Sequence, residues 1–383
     1  MNEIIRNARI VLDDEVIVGN ITVTNGVISN IANGELRTKS GVDFDGDYLL
    51  PGLVDIHSDN IEKHISPRPN VTWPSTFAAM AHDADVVGVG ITTILDAISL
   101  SNAISLGGAD GSRTKLAREI IDGIRVCQKA DALKAEHLFH IRCELTDVDM
   151  VDRIRQLGDD LPISMFTLVD HTPGQRVFRD IGTWRNYRKK GRGLSDSELD
   201  RLLDAELDAQ RRYAGPNRLA IAAIARERKI ALAGHDDSSV EDINEAAALG
   251  SSASEFPTTI EAARLAHSLG MKTIMGAPNL VRGKSHLGNV SAQECAEKGV
   301  LDILASDYVP VSLLQAAFML TSEPLGYALP QAIATVTSNP ASACGLTDRG
   351  RISIGSKADL IRVRYTDGLP VLRCVWRSGV RVH

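Results

Sequence analysis

Six titratable side chains stand at the ends of short apolar runs, where the chain turns abruptly polar. In residues 53–69, "LVDIHSDNIEKHISPRP", the apolar run ends in His57, Ser58 and Asp59. Neutral imidazole nitrogens and carboxylate oxygens are the donors that zinc, manganese or iron accept. A shared ion would also explain how several carboxylates occupy one region. The candidate metal ligands are His57, Asp59, Glu144, His171, His235 and Asp307.

A second set of polar side chains is basic and follows the same apolar runs. The candidate substrate-binding residues are Lys63, His64, Arg68, Arg142, Arg176, Arg282, Lys284 and His286. Three of them belong to a loop in which Gly276, Gly283 and Gly288 would let backbone N–H groups approach an anion. An acidic protein that gathers arginines here is expected to bind a polyanion such as a phosphate chain. A solvated loop remains the alternative, above all for Lys284.

Eight apolar runs, many separated by amphipathic segments, must position these side chains. Repeated strand–helix units predict a parallel sheet, and eight of them predict an α/β fold with a TIM-like (β/α)8 barrel. The carboxyl ends of the strands would then bring the candidate ligands to one rim, together with Asp170, Asp236, Asp237 and Glu255. The predicted strands are 52–56, 91–97, 137–145, 163–170, 230–235, 251–256, 272–277 and 301–307.

The remaining histidines do not follow this pattern. His140 lies within a predicted strand, so we interpret it as a core residue or as support for a ligand. Those interpreted as surface or helix residues are His82, His137, His267 and His383.

The two chain ends differ from the middle, since apolar and polar residues alternate in them as in short antiparallel strands. Neither end is long enough for a core of its own, so residues 1–50 and 345–383 are predicted to form one small β-sandwich domain. Residues 51–344 would form the barrel, with a charged helical insertion at about 172–228. Ser195 and Glu198 fit a capping box there. A solvated excursion and a lid carrying basic residues over the site are both compatible with this insertion.

Composition limits the class of protein. The chain has 383 residues and a formal net charge of -7, which argues against a general nucleic-acid binder. No apolar run reaches the roughly 18 residues of a membrane span, and no signal-peptide pattern is present. The 5 scattered cysteines favour reduced thiols in a cytoplasmic protein. The sequence is compatible with a homo-oligomer but does not specify one.

Longer strings resemble a known family. "LLPGLVDIHSD", a late "LASD" and the ending "GRISIGSKADLIRV" resemble the amidohydrolase superfamily. The strings "DNIEKHISPRP", "VDHTPGQ", "GHDD", "EFPTT", "MGAPNLVRGKSHLGN" and "ASDYVP" resemble the phosphonate-utilisation amidohydrolases of the carbon–phosphorus lyase pathway, the PhnM family. The resemblance extends over residues 1 to 383.

The resemblance implies a metal-dependent hydrolase of a small ribosyl triphosphate in phosphonate catabolism. An α-D-ribose 1-alkylphosphonate 5-triphosphate would yield pyrophosphate and the 5-phosphoribosyl 1-alkylphosphonate. One or two divalent ions, zinc foremost, would be held by the candidate ligands, with Glu144 as the bridging carboxylate. Asp307 would be the catalytic base, and the basic loops would bind the triphosphate.

This sequence departs from the superfamily pattern in three ways. It has His-x-Asp after the first strand where many members have His-x-His, and it has no lysine at a strand end. The ligands after that first strand come from the third, fourth and fifth strands, whereas the fourth, fifth and sixth are common.

Two other functions remain open at this stage. The first is cleavage of a C–N bond in a small cyclic amide, or deamination of a base, for which the large basic set would be unnecessary. The second is a metal-free barrel that serves in assembly, against which the full set of candidate ligands argues.

Overall fold

The protein's structure, a computed structural model, describes residues 2–36, 40–69, 71–102, 112–283 and 288–383. Within these ranges the strands form two separate sheets of eight strands each. In chain order the strands are β1 (Asn2–Val11), β2 (Val16–Thr24), β3 (Val27–Asn33), β4 (Val42–Asp43), β5 (Tyr48–Pro51), β6 (Leu53–Ser58), β7 (Ile91–Ser99), β8 (Glu136–Glu144), β9 (Ile163–Val169), β10 (Ala231–His235), β11 (Ala253–Glu255), β12 (Lys272–Gly276), β13 (Ile303–Ala305), β14 (Leu360–Thr366), β15 (Leu369–Arg377) and β16 (Val380–Arg381).

Helices fill most of the connections between the strands. They are α1 (Ile61–Ile65), α2 (Ser75–Val87), α3 (Ser112–Lys129), α4 (Met150–Gln156), α5 (Ile181–Arg192), α6 (Asp196–Ala209), α7 (Gly215–Arg228), α8 (Val240–Ala248), α9 (Ile260–Ser268), α10 (Ala277–Arg282), α11 (Ala292–Glu297), α12 (Ser312–Leu320), α13 (Leu329–Ala334) and α14 (Ser338–Ala343). In the part of the chain that the structure describes, none of them has the length and apolar character needed to cross a membrane.

The barrel consists of β6 to β13, which lie side by side in chain order with parallel neighbours. A parallel bridge between Ser58 and Asp307 connects the first strand to the last. Val54, Leu95 and Met165 are buried inside. The predicted (β/α)8 barrel and its strand count are therefore confirmed. Glu144 and His235 are the last residues of the third and fifth strands, and His171 follows the fourth. The strand numbering predicted for these three candidates is confirmed, and their role as ligands stays a prediction.

The second sheet joins the two ends of the chain. Its order is β16-β15-β14-β5-β1-β2-β3, with β4 beside β1. The antiparallel pair of β14 with β5 connects the C-terminal strands to the N-terminal ones. Phe44 and Trp376, one from each end, stack with ring centroids 5.8 Å apart in its core. The pairing of the termini into a separate sheet is thereby confirmed, while the exact domain boundaries stay a prediction.

The insertion between β9 and β10 is an ordered helical unit. It contains the 3-10 turn Arg176–Phe178, then α5 and α6, and a π-helical turn leads from α6 into α7. Ser195 and Glu198 form the expected capping box at the start of α6. Phe178, Trp184 and Leu199 are buried together in a small core of this unit.

A buried charged network connects α2 to β7 and β8. His82 lies on a helix, as the sequence analysis allowed, and is buried there; His137 is buried in β8, contrary to the surface or helix position expected. Nδ1 of His137 lies 2.8 Å from Asp96 and Nε2 lies 3.3 Å from Asp83. Because both ring nitrogens face carboxylates, both must carry a proton, and His137 is an imidazolium. Burial lowers the pKa of His137, but Asp96 and Asp83 raise it by more, to about 9.

His82 completes the network as a hydrogen-bond donor. Its Nε2 lies 2.8 Å from Asp96, and its Nδ1 lies 3.3 Å from the amide nitrogen of Asn60. The Lys63 ammonium donates to the amide oxygen of Asn60 and so fixes that amide's orientation. We therefore assign Nδ1 of His82 as the acceptor of a hydrogen bond from this amide N–H and Nε2 as the donor to Asp96. Although the donor atoms of His82, Asp96 and His137 lie within 4.8 Å of one another, this tautomer leaves no lone pair on Nε2 for a metal ion.

Replacing His137 by glutamine is expected to destabilise the protein by about 3 kcal/mol or more at neutral pH, because it leaves Asp96 and Asp83 buried without their cation. The folded-state pKa of His137, about 9, lies above the ordinary value. The contribution of the His137 charge to the free energy of unfolding is therefore complete below about pH 6.5. It is lost as the pH rises through about 9. Urea denaturation midpoints across this range should fall more steeply for the wild type than for the variant.

The matched control is His267→Gln, since the His267 side chain is 43% exposed and pairs with Asp302. We expect little change in its midpoint. Equal pH dependence of His137→Gln and wild type would show that His137 is not charged in the folded protein.

Candidate active site

A cavity of about 430 Å³ opens at the carboxyl ends of the barrel strands. This volume lies in the range typical of small-molecule sites. The sequence-predicted residues that line it are His57, Asp59, Arg142, His171, His235, Arg282 and Asp307. The barrel thus brings five candidate metal ligands and two candidate anion-binding residues to one space.

The carboxylate of Glu255, at the end of β11, lies between two of these histidines. Its Oε1 is 2.7 Å from Nδ1 of His57, and its Oε2 is 3.6 Å from Nε2 of His235. Burial raises the pKa of Glu255, but His57 and His140 lower it by more, so the net pKa lies far below its usual range. Burial lowers the pKa of His57, and the Glu255 carboxylate raises it to a net value above the ordinary one. Glu255 is therefore an anion at the centre of the site.

His140 supports His57 from within the barrel, as its position within a strand indicated. The two rings meet edge to face with centroids 5.1 Å apart. Nδ1 of His140 lies 3.0 Å from the carbonyl oxygen of Ile56, and Nε2 contacts the hydroxyl of Thr167. Burial lowers the pKa of His140 to about 3. The ring is neutral, donates to the carbonyl and accepts from the hydroxyl.

His171 is held by Glu144 behind it. Nδ1 of His171 lies 2.6 Å from Oε2 of Glu144, and its backbone N–H donates to Oε1 at 3.3 Å. Burial lowers the pKa of His171, but the Glu144 carboxylate raises it to a net value above the ordinary one. Glu144 lines a smaller adjoining cavity of about 110 Å³ with Asp59, Arg142 and His171. Its bridging role stays a prediction, and the observed contact orients the imidazole.

Asp307 is fixed by the closure of the barrel. Its N–H donates to the carbonyl oxygen of His57 at 2.9 Å, and its own carbonyl accepts from the N–H of Asp59 at 3.0 Å. Its backbone is left-handed, with φ 56°, a conformation that aspartate tolerates better than most residues. Burial raises the pKa of the Asp307 carboxyl, which His57 lowers and Asp59 raises, and the net pKa is above its usual value.

The donor set fits a divalent ion. Nε2 of His235 and Oε2 of Glu255 are both buried, and within the described ranges neither has a hydrogen-bond partner. An unsatisfied buried polar atom costs about 1–3 kcal/mol. Coordination to one cation would satisfy both atoms. Imidazole and carboxylate donors of this kind suit zinc, manganese or iron.

Only some of the predicted basic residues reach the cavity. Arg142 and Arg282 face the cavity. Lys63 lies at its rim, where its ammonium contacts the backbone oxygen of Tyr308, a lining residue. Lys284 and His286 are outside the described residues.

Three further predicted residues do not line the cavity. His64 pairs with Asp85 of α2 at 3.3 Å, and Arg68 is exposed on the loop after α1. Arg176 is buried and donates to Asp237 at 2.6 Å and to the carbonyl oxygen of His235 at 2.8 Å. Substrate contact by these residues stays a prediction. The observed bonds of Arg176 instead hold the His235–Asp237 turn in place.

Several lining residues were not in the predicted set. Asp236 is one of them; the sequence placed it at this rim, as it did Glu255, without counting either as a ligand. Tyr308 follows Asp307 directly. Phe178, Tyr187 and Arg188 come from the helical insertion and carry no local signal beyond its basic charge. Their presence in the lining favours the interpretation of the insertion as part of the site.

Comparisons with known proteins agree with this architecture. Residues 130–382 match the model of the amidohydrolase family. The chain is 42% identical over 380 residues, 99% of its length and 100% of the relative's, to the alpha-D-ribose 1-methylphosphonate 5-triphosphate diphosphatase of Escherichia coli strain K12. Two solved N-acetylglucosamine-6-phosphate deacetylases, from Mycobacterium smegmatis and Pasteurella multocida, superpose with TM-scores of 0.65 and 0.64 at 13% identity; the matches cover 100% of this chain and 100% and 99% of theirs. At that identity the two structures indicate the fold alone.

Replacing Glu255 by glutamine is expected to weaken binding of divalent metal by about 10- to 100-fold, the usual range for supporting partners of metal ligands. The amide removes the anion between His57 and His235. Metal affinity can be measured by competition with a chelating dye, and content by elemental analysis. The control Glu261→Gln changes an exposed glutamate of α9 and should leave affinity unchanged. Wild-type affinity in Glu255→Gln would exclude Glu255 from the metal centre.

Proposed function

The chain belongs to the amidohydrolase family, and we propose that it hydrolyses an α-D-ribose 1-alkylphosphonate 5-triphosphate to pyrophosphate and the 5-phosphoribosyl 1-alkylphosphonate. The observation that carries the proposal is the convergence of imidazoles, carboxylates and guanidinium groups on one cavity. The activity named for the Escherichia coli relative supports this substrate. The enzyme is accordingly a hydrolase of a phosphoric anhydride bond in phosphonate metabolism.

The metal site is assigned to the ligands that line the cavity: His57, Asp59, His171, His235 and Asp307, with Glu255 between two of the histidines. Zinc is the foremost candidate, and manganese or iron would accept the same donors. A divalent ion held by these residues would supply Lewis-acid chemistry: it would polarise a phosphoryl oxygen and lower the pKa of a water molecule. Glu144 supports His171, which fixes the imidazole for coordination.

Asp307 is assigned as the residue that accepts the proton of the attacking water. Burial raises the pKa of its carboxyl, which makes its ionised form a stronger base. Its backbone hydrogen bonds to His57 and from Asp59 hold it at the rim. A base fixed in this way needs little rearrangement to orient a water toward phosphorus.

Arg142 and Arg282 supply the charge that a triphosphate requires. Guanidinium groups pair with phosphate oxygens through two parallel hydrogen bonds. They also stabilise the negative charge that develops on the departing pyrophosphate. A hydrolase of a small cyclic amide has no need of this many cations, which favours the triphosphate over the C–N alternative.

The proposal is tested by supplying the metal-loaded protein with a panel of ribosyl and nucleoside 5′-triphosphates and following pyrophosphate and orthophosphate separately. We expect pyrophosphate, with the anomeric alkylphosphonate substrate preferred. Orthophosphate alone would locate the cut at another anhydride bond. Hydrolysis of cyclic amides without any pyrophosphate release would overturn the proposal.

Asp307→Asn is expected to reduce kcat at least about 100-fold, the usual contribution of a general base, with nearly normal metal content. Asparagine tolerates the same left-handed backbone. Pyrophosphate release and elemental analysis provide the two readouts. The control is Asp367→Asn, since Asp367 is exposed and also left-handed, with φ 51°. Near-normal turnover in Asp307→Asn would remove Asp307 from the mechanism.

Arg282→Ala is expected to raise KM for the triphosphate about 10-fold or more, because one charge-assisted pair to the phosphate chain is lost. Inhibition by a nucleoside monophosphate should change much less. Arg264→Ala, on the exposed side of α9, serves as the charge-matched control. Equal effects on triphosphate and monophosphate would show that Arg282 does not recognise the phosphate chain.

A further inference from the structure

One wall of the cavity comes from the helical insertion and combines a cation with apolar groups. Val177, Phe178, Tyr187 and Arg188 all line the cavity. The rings of Phe178 and Tyr187 lie with centroids 5.5 Å apart. Arg188 is only 6% exposed, so its guanidinium lies in a largely water-excluded environment. The wall therefore presents both a positive charge and an apolar surface.

The wall is held in place from behind. Phe178 packs on Trp184 and Leu199 in the small core of the insertion. Asp180 caps α5 by accepting from the N–H of Thr183. These contacts fix α5 relative to the 3-10 turn.

Glu206 of α6 orients the Arg188 guanidinium. Its carboxylate lies 3.7 Å from the arginine, and Glu206 is 3% exposed. Arg188 also lines the cavity, and a planar group with five N–H donors can bind more than one partner. Glu206 is a positioning residue, since it does not line the cavity.

The insertion and the Arg282 loop reach the cavity from different parts of the rim. The insertion follows β9, the fourth barrel strand, whereas Arg282 ends the helix that follows β12, the seventh. Three barrel strands thus separate the elements that carry Arg188 and Arg282. Both arginines nevertheless line the same cavity.

We propose that Val177, Phe178, Tyr187 and Arg188 form the subsite for the alkylphosphonate end of the substrate. Arg188 pairs with the phosphonate oxygens, and the apolar side chains contact the alkyl group. An alkylphosphonate differs from a phosphate in carrying an apolar substituent on phosphorus, and this wall matches both parts. The inference rests on the proposed function and assigns the end of the substrate away from the phosphate chain.

The kinetic test compares two substrates with the metal-loaded full-length protein. One is α-D-ribose 1-methylphosphonate 5-triphosphate, and the other is ribose 5-triphosphate, which lacks the phosphonate. Arg188→Ala should raise KM for the first about 10-fold or more and leave KM for the second within about 2-fold. Arg188→Lys should raise KM for the first substrate by less than Arg188→Ala does, because lysine keeps the positive charge but lacks the planar guanidinium that forms two parallel hydrogen bonds.

Two further variants distinguish a role of Glu206 in positioning Arg188 from a role in maintaining the fold. Glu206→Gln should raise KM for the phosphonate substrate with kcat unchanged, because it loosens Arg188 without touching the substrate. Lys189→Ala is the matched control: Lys189 is the adjacent basic residue of α5, it is exposed, and it pairs with Asp196. Its kinetics should equal those of wild type. Equal losses for both substrates in Arg188→Ala would show that Arg188 maintains structure or binds phosphates generally, and would overturn the subsite.

A binding measurement makes the inference independent of turnover. Calorimetry with methyl-, propyl- and phenylphosphonate should show that the affinity of the wild type rises with the size of the apolar group. In Arg188→Ala the affinity for each phosphonate should fall about 10-fold. The affinity for pyrophosphate should be the same in both proteins. Wild-type protein that binds these phosphonates but releases no pyrophosphate would contradict the proposed function and retain the subsite. Phosphonate binding that is insensitive to Arg188, or absent, would contradict the subsite whatever the turnover.

Discussion

The backbone contact between the first and last barrel strands is the constraint on which the site depends. The N–H of Asp307 donates to the carbonyl oxygen of His57, and the carbonyl of Asp307 accepts from the N–H of Asp59. These bonds bring a residue near the end of the barrel beside two residues at its start. Because they involve backbone atoms, they persist whatever the protonation of the side chains. The candidate ligands His57, Asp59 and Asp307 consequently share one rim.

Electrostatic balance determines how so many charges share this rim. The Glu255 anion compensates the imidazoles of His57 and His235, and Glu144 compensates His171. Below them, Arg176 binds Asp237 in a buried pair that holds the turn after β10. These contacts pair imidazoles and a guanidinium with carboxylates in the floor of the site. Arg142 and Arg282 line the cavity, where they can contact an anionic ligand.

The helical insertion lies between β9 and β10, the fourth and fifth strands of the barrel. It contributes its own small core and one wall of the cavity, so recognition can change with the insertion while the metal-ligand candidates stay on the barrel. This division follows from rigidity, since strand ends hold reacting groups accurately and connecting segments tolerate variation. The buried His137 network fastens α2 to β7 and β8. Its neighbour Asn60 lies between Asp59 and α1, the helix that carries Lys63.

The sequence by itself determined the eight strands and the polar residues at their ends, because apolar runs and strand–helix alternation are local properties. It located Glu144 on the third strand, for example, where the structure has it. Only the tertiary structure decided that Glu255 lies between His57 and His235, that Arg188 enters the cavity while Arg176 is used internally, and that His137 is buried between carboxylates. Such roles depend on which side chains meet across the fold. No spacing along the chain encodes those distances, since the partners belong to different elements.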